Sequence, residues 1–298
     1  MTAEGIVIRG HGKSFIVRHN GTDIPCEIRG RVKHHTDGTS PVAVGDEVSI
    51  SVASHGTGMI ESVAPRRSMF FRPAKGSESK KQVIAANIDR LGVVASVREP
   101  ELKPGLIDRF LIAAAIGDLE PIIIFNKTDL GKPDDFDEIV NDYHRIGLET
   151  FCLSALTGDS TEKLEKALVG HKTIFAGHSG VGKTTILNRL IPGLNRKVGR
   201  ISDYSRKGRH TTPLVELFEL PGGGYLLDSP GLKVLELWKV DRNDLDGFYP
   251  EMSDFIPHCR FTACSHTHEP DCAVKKAVSN GKISRFRYRS YLSIYESL

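Results

Sequence analysis

The chain has 298 residues, 39% of them hydrophobic, which is more than one ordinary domain and enough to bury two or three cores. Its formal charge of +3 is too mild to argue for a nucleic-acid partner by itself, and no run approaches the ~18 uninterrupted apolar residues of a membrane span. The start, Met1-Thr2-Ala3-Glu4-Gly5, lacks a basic stretch leading into an apolar one, so a cytoplasmic protein with reduced cysteines and no membrane partner is expected.

From residue 5 to about 70 the apolar residues alternate in short runs, Ile6/Ile8, Phe15/Val17, Ile24/Cys26/Ile28 and Val48/Ile50, separated by turn formers such as Asn20-Gly21 and Gly45-Asp46. A five-stranded barrel of the OB type fits, as do other small all-β domains, the SH3-like ones included. Residues 71–84 are polar and rich in Lys, Ser and Gly and read as a linker or mobile loop. Beyond them a strand at 91–97, a helix near 104–116 and a strand at 121–125 alternate in the βαβ manner. The composition shifts again near Asp241, where cysteines, prolines and a basic tail begin. The expected organisation is multidomain α/β: a barrel over 1–72, an α/β domain over 73–240 and a small helical unit over 241–298.

The α/β region carries four short motifs. Asn126-Lys127-Thr128-Asp129 follows the apolar run Ile122–Phe125, where a sheet delivers its ligand loops. A carboxylate at Asp129 accepts from both N1–H and the exocyclic amine of guanine, whereas adenine would leave it unpaired, so GTP and GDP are expected over ATP. Asn126 is expected to brace the loop, and Lys127 to lay its stem over the base. Ser154-Ala155-Leu156 matches a backbone contact to the base. Gly177-His178-Ser179-Gly180-Val181-Gly182-Lys183-Thr184 and the following Thr185 lie between an apolar strand and a helix, the setting a phosphate-binding loop requires. Lys183 is expected to reach the β- and γ-phosphates, and the Thr184 hydroxyl and Asp228 to hold Mg²⁺. Asp228-Ser229-Pro230-Gly231 is the last of the four.

Between the helix and the strand near 214–220 lies a basic segment ending in Arg209-His210-Thr211-Thr212, where the first switch belongs; either Thr211 or Thr212 can close on the metal. The residue after Gly231 is Leu232, which cannot orient water, so slow turnover alone and stimulation by a partner are expected. Lys183, His210, Thr211 and Thr212 are the candidate catalytic groups, with His178 a further one. Two other readings stay open: a switch for a protein partner, and an RNA chaperone that holds GTP without hydrolysing it.

Cys259-x4-Cys264-x-His266-x5-Cys272 supplies three thiols and an imidazole, a closed shell for one structural Zn²⁺, with His258 and His268 as competing ligands. The unit around it looks poor in apolar material. Lys275, Lys276, Lys282, Arg285, Arg287 and Arg289 interleave with Phe286, Tyr288 and Tyr291, as on a surface that tracks phosphates and stacks bases.

In most GTPases the phosphate loop precedes the guanine-reading motif; here Gly177–Thr184 comes after Asn126–Asp129, so the motif set is cyclically rotated. With that order, the cysteine–histidine spacing and Arg209-His210-Thr211-Thr212, the chain resembles the small ribosomal subunit biogenesis GTPase family RsgA (YjeQ/YloQ) over essentially its full length. Pro213 departs from the threonine run of many relatives. The resemblance implies an N-terminal OB barrel, a circularly permuted GTPase domain, and a monomeric cytoplasmic protein. It also implies binding to the 30S subunit and 16S rRNA late in maturation, with departure after subunit-stimulated GTP hydrolysis.

Overall fold

The computed structural model describes residues 2–28, 32, 41–53, 56–74, 77–196, 215–228 and 237–298. Strands β1 (Thr2–His11), β2 (Ser14–His19), β3 (Thr22–Ile28), β4 (Glu47–Val52) and β5 (Gly58–Val63) form the first unit. Every pairing is antiparallel except β3 with β5, and the ring β1-β2-β3-β5-β4 closes on itself through β1 and β4, making a five-stranded barrel. Alternation explains its core: Phe15, Val17, Ile24, Cys26, Val48, Ile50 and Ile60 point inward and are buried. Asn20 and Gly21 join β2 to β3 with φ of 48° and 77°, the two left-handed positions of a two-residue hairpin turn.

A register shift between Val7 and Arg9 bends β1. Its first half pairs with β4, while Arg9 and Gly10 pair on one side with Ile16 and Phe15 of β2 and on the other with Glu216 and Val215, making barrel and α/β domain one continuous sheet. Arg9 Nε donates to Glu216 Oε1 at 2.8 Å, and Arg196 Nη2 donates to Glu216 Oε2 at 3.0 Å.

Where a linker is expected, the chain forms a hairpin, β6 (Met69–Ala74) and β7 (Ser77–Ala86). Phe70, Phe71, Val83 and Ala85 are buried, and Trp238 packs with Phe71 and Val83. Lys81 lies 4.6 Å from the centre of the Phe71 ring. A short alternation diluted by Lys and Ser is what a linker looks like in sequence.

The α/β domain has strands in the order β10-β9-β8-β11-β13-β12. They are β8 (Arg90–Ser96), β9 (Glu120–Asn126), β10 (Glu149–Cys152), β11 (Lys172–Ala176), β12 (Val215–Glu219) and β13 (Tyr225–Asp228). All run parallel except β12. Helices α1 (Pro104–Ile116) and α2 (Phe136–Arg145) cover one face, and α3 (Thr161–Leu168) and α4 (Lys183–Leu190) the other. The continuous apolar run in β9 follows from this: Ile123 and Phe125 enter the cluster with α1 and α2, and Ile122 and Ile124 that with α3 and α4.

The C-terminal unit contains α5 (Ala273–Ser279) and α6 (Arg285–Ser297) with short 3₁₀ turns before them. Contrary to expectation it has an apolar core, in which Leu245, Tyr249, Met252, Val274, Ile283, Tyr291 and Ile294 pack with Ile112 of α1. The expected base-stacking surface is corrected with it. Tyr291 is buried and donates to the Ser265 carbonyl at 2.8 Å, Tyr288 donates to the His266 carbonyl at 2.7 Å, and Phe286 packs edge-on against Tyr143. Arg287 is buried as well, between Asp108 of α1 and Glu251. Of the basic residues in this tail, Lys276, Lys282, Arg285 and Arg289 are the exposed ones. Among the described residues, no helix is long and apolar enough to cross a membrane.

Candidate nucleotide site and metal centre

Parallel pairing brings the motifs together. Ser96 is level with Asn126, Ala176 with Val93, and Phe175 with Asp228, so β8, β9, β11 and β13 end at one edge of the sheet, where an open α/β sheet binds its ligand. The phosphate loop runs from β11 into α4. Two of its glycines are required by close approach: a Cβ on Gly177 would lie 2.1 Å from the Val94 carbonyl, and one on Gly182, at φ 96°, 2.2 Å from Asn126 Nδ2. Lys183 folds back into the loop and donates to the carbonyls of Gly177 at 2.8 Å and His178 at 3.1 Å. Burial holds its ammonium below the usual lysine range, and the Asp228 carboxylate partly offsets this. Thr184 and Thr185 are half-buried in the first turn of α4, and Asp228 is buried at the end of β13. His178 Nδ1 lies 2.8 Å from the Ser179 carbonyl. His210, Thr211, Thr212, Gly231 and Leu232 lie outside the described residues.

On the base side, Asn126 is buried at the end of β9 and spans two loops: its Nδ2 donates to the Val181 carbonyl at 2.9 Å, and its Oδ1 accepts from the Ala155 N–H at 3.0 Å. Lys127 adopts a left-handed conformation, φ 67°, and its ammonium donates to the Glu99 carbonyl. The Thr128 N–H donates to the Leu153 carbonyl at 3.2 Å, tying the two base loops together. Asp129 is exposed, with Ser154 Oγ donating to its Oδ1 at 2.5 Å, which fixes the direction of the carboxylate. Leu156 points outward and is 73% exposed. Sequence reasoning missed Arg189, whose guanidinium reaches from α4 to the carbonyls of Ala155 and Leu156; an arginine on a helix carries no signal of such a contact.

The four cysteine and histidine ligand atoms of the C-terminal unit lie within 4.8 Å of one another. Cys259 Sγ is 3.8 Å from Cys272 Sγ and 3.6 Å from His266 Nδ1, which is 3.4 Å from Cys272 Sγ. A tetrahedron with Zn–S of about 2.3 Å and Zn–N of about 2.0 Å has edges of about 3.8 and 3.5 Å, so the set fits zinc. Burial and the neighbouring thiols, against the His266 N–H, push Cys264 up to about 12, a cost that a bound dication removes. His258 and His268 are exposed and outside the cluster. His266 Nε2 lies 3.3 Å from Asp246 Oδ2, an arrangement that orients the ring with Nδ1 toward the metal. All five cysteines are free thiols.

The RsgA GTPase family model matches residues 63–238, and the RsgA N-terminal domain model matches residues 4–60. A small ribosomal subunit biogenesis GTPase RsgA from Bacteroides fragilis (strain YCH46) is 38% identical, covering 98% of this chain and 96% of the relative. One from Moorella thermoacetica is 36% identical, covering 97% and 95%. Among solved structures, YjeQ from Thermotoga maritima superposes with a TM-score of 0.78 at 31% identity, covering 100% of this chain and 99% of that one. YloQ, described as a circularly permuted GTPase, superposes with a TM-score of 0.73 at 26% identity, covering 100% and 95%.

Proposed function

The chain belongs to the RsgA GTPase family and is a GTP hydrolase, and on that premise we propose that it binds the small ribosomal subunit late in its maturation. It contacts 16S rRNA there, hydrolyses GTP to GDP under stimulation by the subunit, and then leaves. The reading takes the protein to be cytoplasmic and monomeric, with units bounded near residues 72 and 240. The observation that carries it is the convergence of Asn126, Asp129, Ser154, the 177–184 loop and Asp228 at one sheet edge, in a chain whose relatives are named for small-subunit biogenesis.

Asp129 accepts from guanine N1–H and the 2-amino group, held in register by Ser154. The 177–184 backbone cradles the phosphates, and Lys183 exchanges its carbonyl partners for β- and γ-oxygens. Thr184 and Asp228 would hold Mg²⁺, which when bound neutralises charge across those oxygens. Thr211 or Thr212 would add a hydroxyl ligand to that metal in the GTP state, and His210 or His178 would serve where Leu232 replaces a water-orienting glutamine.

The test is the GTP hydrolysis rate of the purified chain alone, with small subunits and with large subunits. Strong stimulation by the small subunit only is expected. Equal rates in all three would overturn the ribosomal reading in favour of a switch for a protein partner.

One Zn²⁺ held by Cys259, Cys264, His266 and Cys272 is proposed to stabilise the C-terminal unit. Chelation of the full chain is expected to release one equivalent of zinc and to lower the melting temperature, because the clustered thiols then lose the charge that holds them together. An unchanged melting curve after complete removal would count against it.

A further inference from the structure

Arg189 belongs to neither nucleotide motif, yet it joins them. It sits near the end of α4, the helix that begins with Lys183 and Thr184 on the phosphate side. Its Nε donates to the Ala155 carbonyl at 3.2 Å and its Nη2 to the Leu156 carbonyl at 2.8 Å. The chain turns tightly against the guanidinium: Gly158 has φ 97°, and a Cβ there would come within 3.4 Å of Arg189 Nη1. The inner half of this loop is held by Asn126, on the Ala155 N–H, and by the contact of Ser154 with Asp129. The outer half has an exposed Leu156, whose side chain buries little surface. Within the loop the Gly158 N–H donates to the Ser154 carbonyl at 2.8 Å and the Thr157 N–H to Ser154 Oγ at 3.2 Å, and the two hydrogen bonds from Arg189 join this turn to the helix.

We infer that Arg189 is a positioning residue for the guanine base, locking the loop at 154–158 to the phosphate-binding helix and thereby setting the residence time of bound nucleotide. The inference rests on the GTPase reading of the site. A loop already ordered costs no conformational entropy when the base arrives, and one released from the helix must be ordered out of the binding energy. Arg189 acts through the backbone of Ala155 and Leu156, which it holds by their carbonyls. Losses of this kind fall mainly on the dissociation rate.

The experiment is stopped-flow release of a fluorescent GDP from the full chain, from Arg189→Ala and from Arg189→Lys, with steady-state GTP hydrolysis and melting curves without nucleotide. Arg189→Ala is expected to release GDP roughly ten-fold faster, equivalent to about 1.4 kcal/mol. The loss should appear in KM rather than in kcat at saturation, with Arg189→Lys intermediate because an ammonium reaches only one carbonyl well. Release at the parental rate would overturn the inference, as would faster release accompanied by an equivalent loss of stability in the nucleotide-free protein. If the parent chain itself bound no GDP, the nucleotide reading would fall and this inference with it.

Discussion

Arg287→Ala is expected to destabilise the packing of the C-terminal unit on the GTPase domain by about 3–5 kcal/mol, the cost of removing one partner from a buried charge cluster. The guanidinium is 3% exposed and Asp108 is 1% exposed. Arg287 pairs with Asp108 and forks onto Glu251, Nε to Oε1 at 2.6 Å and Nη2 to Oε2 at 3.1 Å. Tyr143 donates to the same Asp108 oxygen at 3.0 Å, and the guanidinium lies 4.5 Å from the centre of the Tyr249 ring. Burial pushes the Asp108 carboxyl up and Arg287 pulls it back, so truncation leaves two carboxylates in a dry site without a counter-charge. Denaturant unfolding followed by Trp238 fluorescence reads the effect, because this tryptophan is buried in the cluster beside β6 and β7, next to the C-terminal unit. Replacing Arg287, Asp108 and Glu251 together by apolar residues is expected to recover most of the loss, since the penalty comes from the stranded charges. A single Arg287→Ala change costing under about 1 kcal/mol would mean that water reaches the cluster.

Asp129→Asn is expected to lower GTP affinity by at least about a hundred-fold and to transfer the preference to xanthosine triphosphate. Guanine offers two donors to the carboxylate. Xanthine keeps N1–H but has a carbonyl at C2, which the new amide N–H can satisfy, while Ser154 Oγ can still donate to the amide oxygen. Equilibrium titration with both nucleotides measures the switch. If Asp129→Asn kept its preference for GTP, base recognition would have to reside elsewhere on the 154–158 loop.

Much of the site was legible because each motif is contiguous and lies just after an apolar strand, so Asn126–Asp129 and Gly177–Thr184 announce both their chemistry and their setting. The hairpin at 69–86 was not, since its few buried residues, Phe70, Phe71, Val83 and Ala85, are diluted in sequence by Lys and Ser. Arg287 was misread because an arginine among basic and aromatic residues looks the same in sequence whether it faces RNA or a buried acid 179 positions away. His266 was legible from its spacing to the cysteines, and distances were needed only to place its competitors His258 and His268 outside the cluster.

The sequence by itself determined the class of nucleotide, the rotated order of the loops and the metal-binding composition, because these depend on side-chain chemistry at short spacings. Only the tertiary structure decided that β1 and β12 join barrel and GTPase domain in one sheet, that α1 is bound to α6 through Asp108 and Arg287, and that Arg189 reaches the carbonyls of Ala155 and Leu156. Such contacts are made between residues far apart in the chain, and whether a charge is solvated, paired or buried is settled by what folds against it.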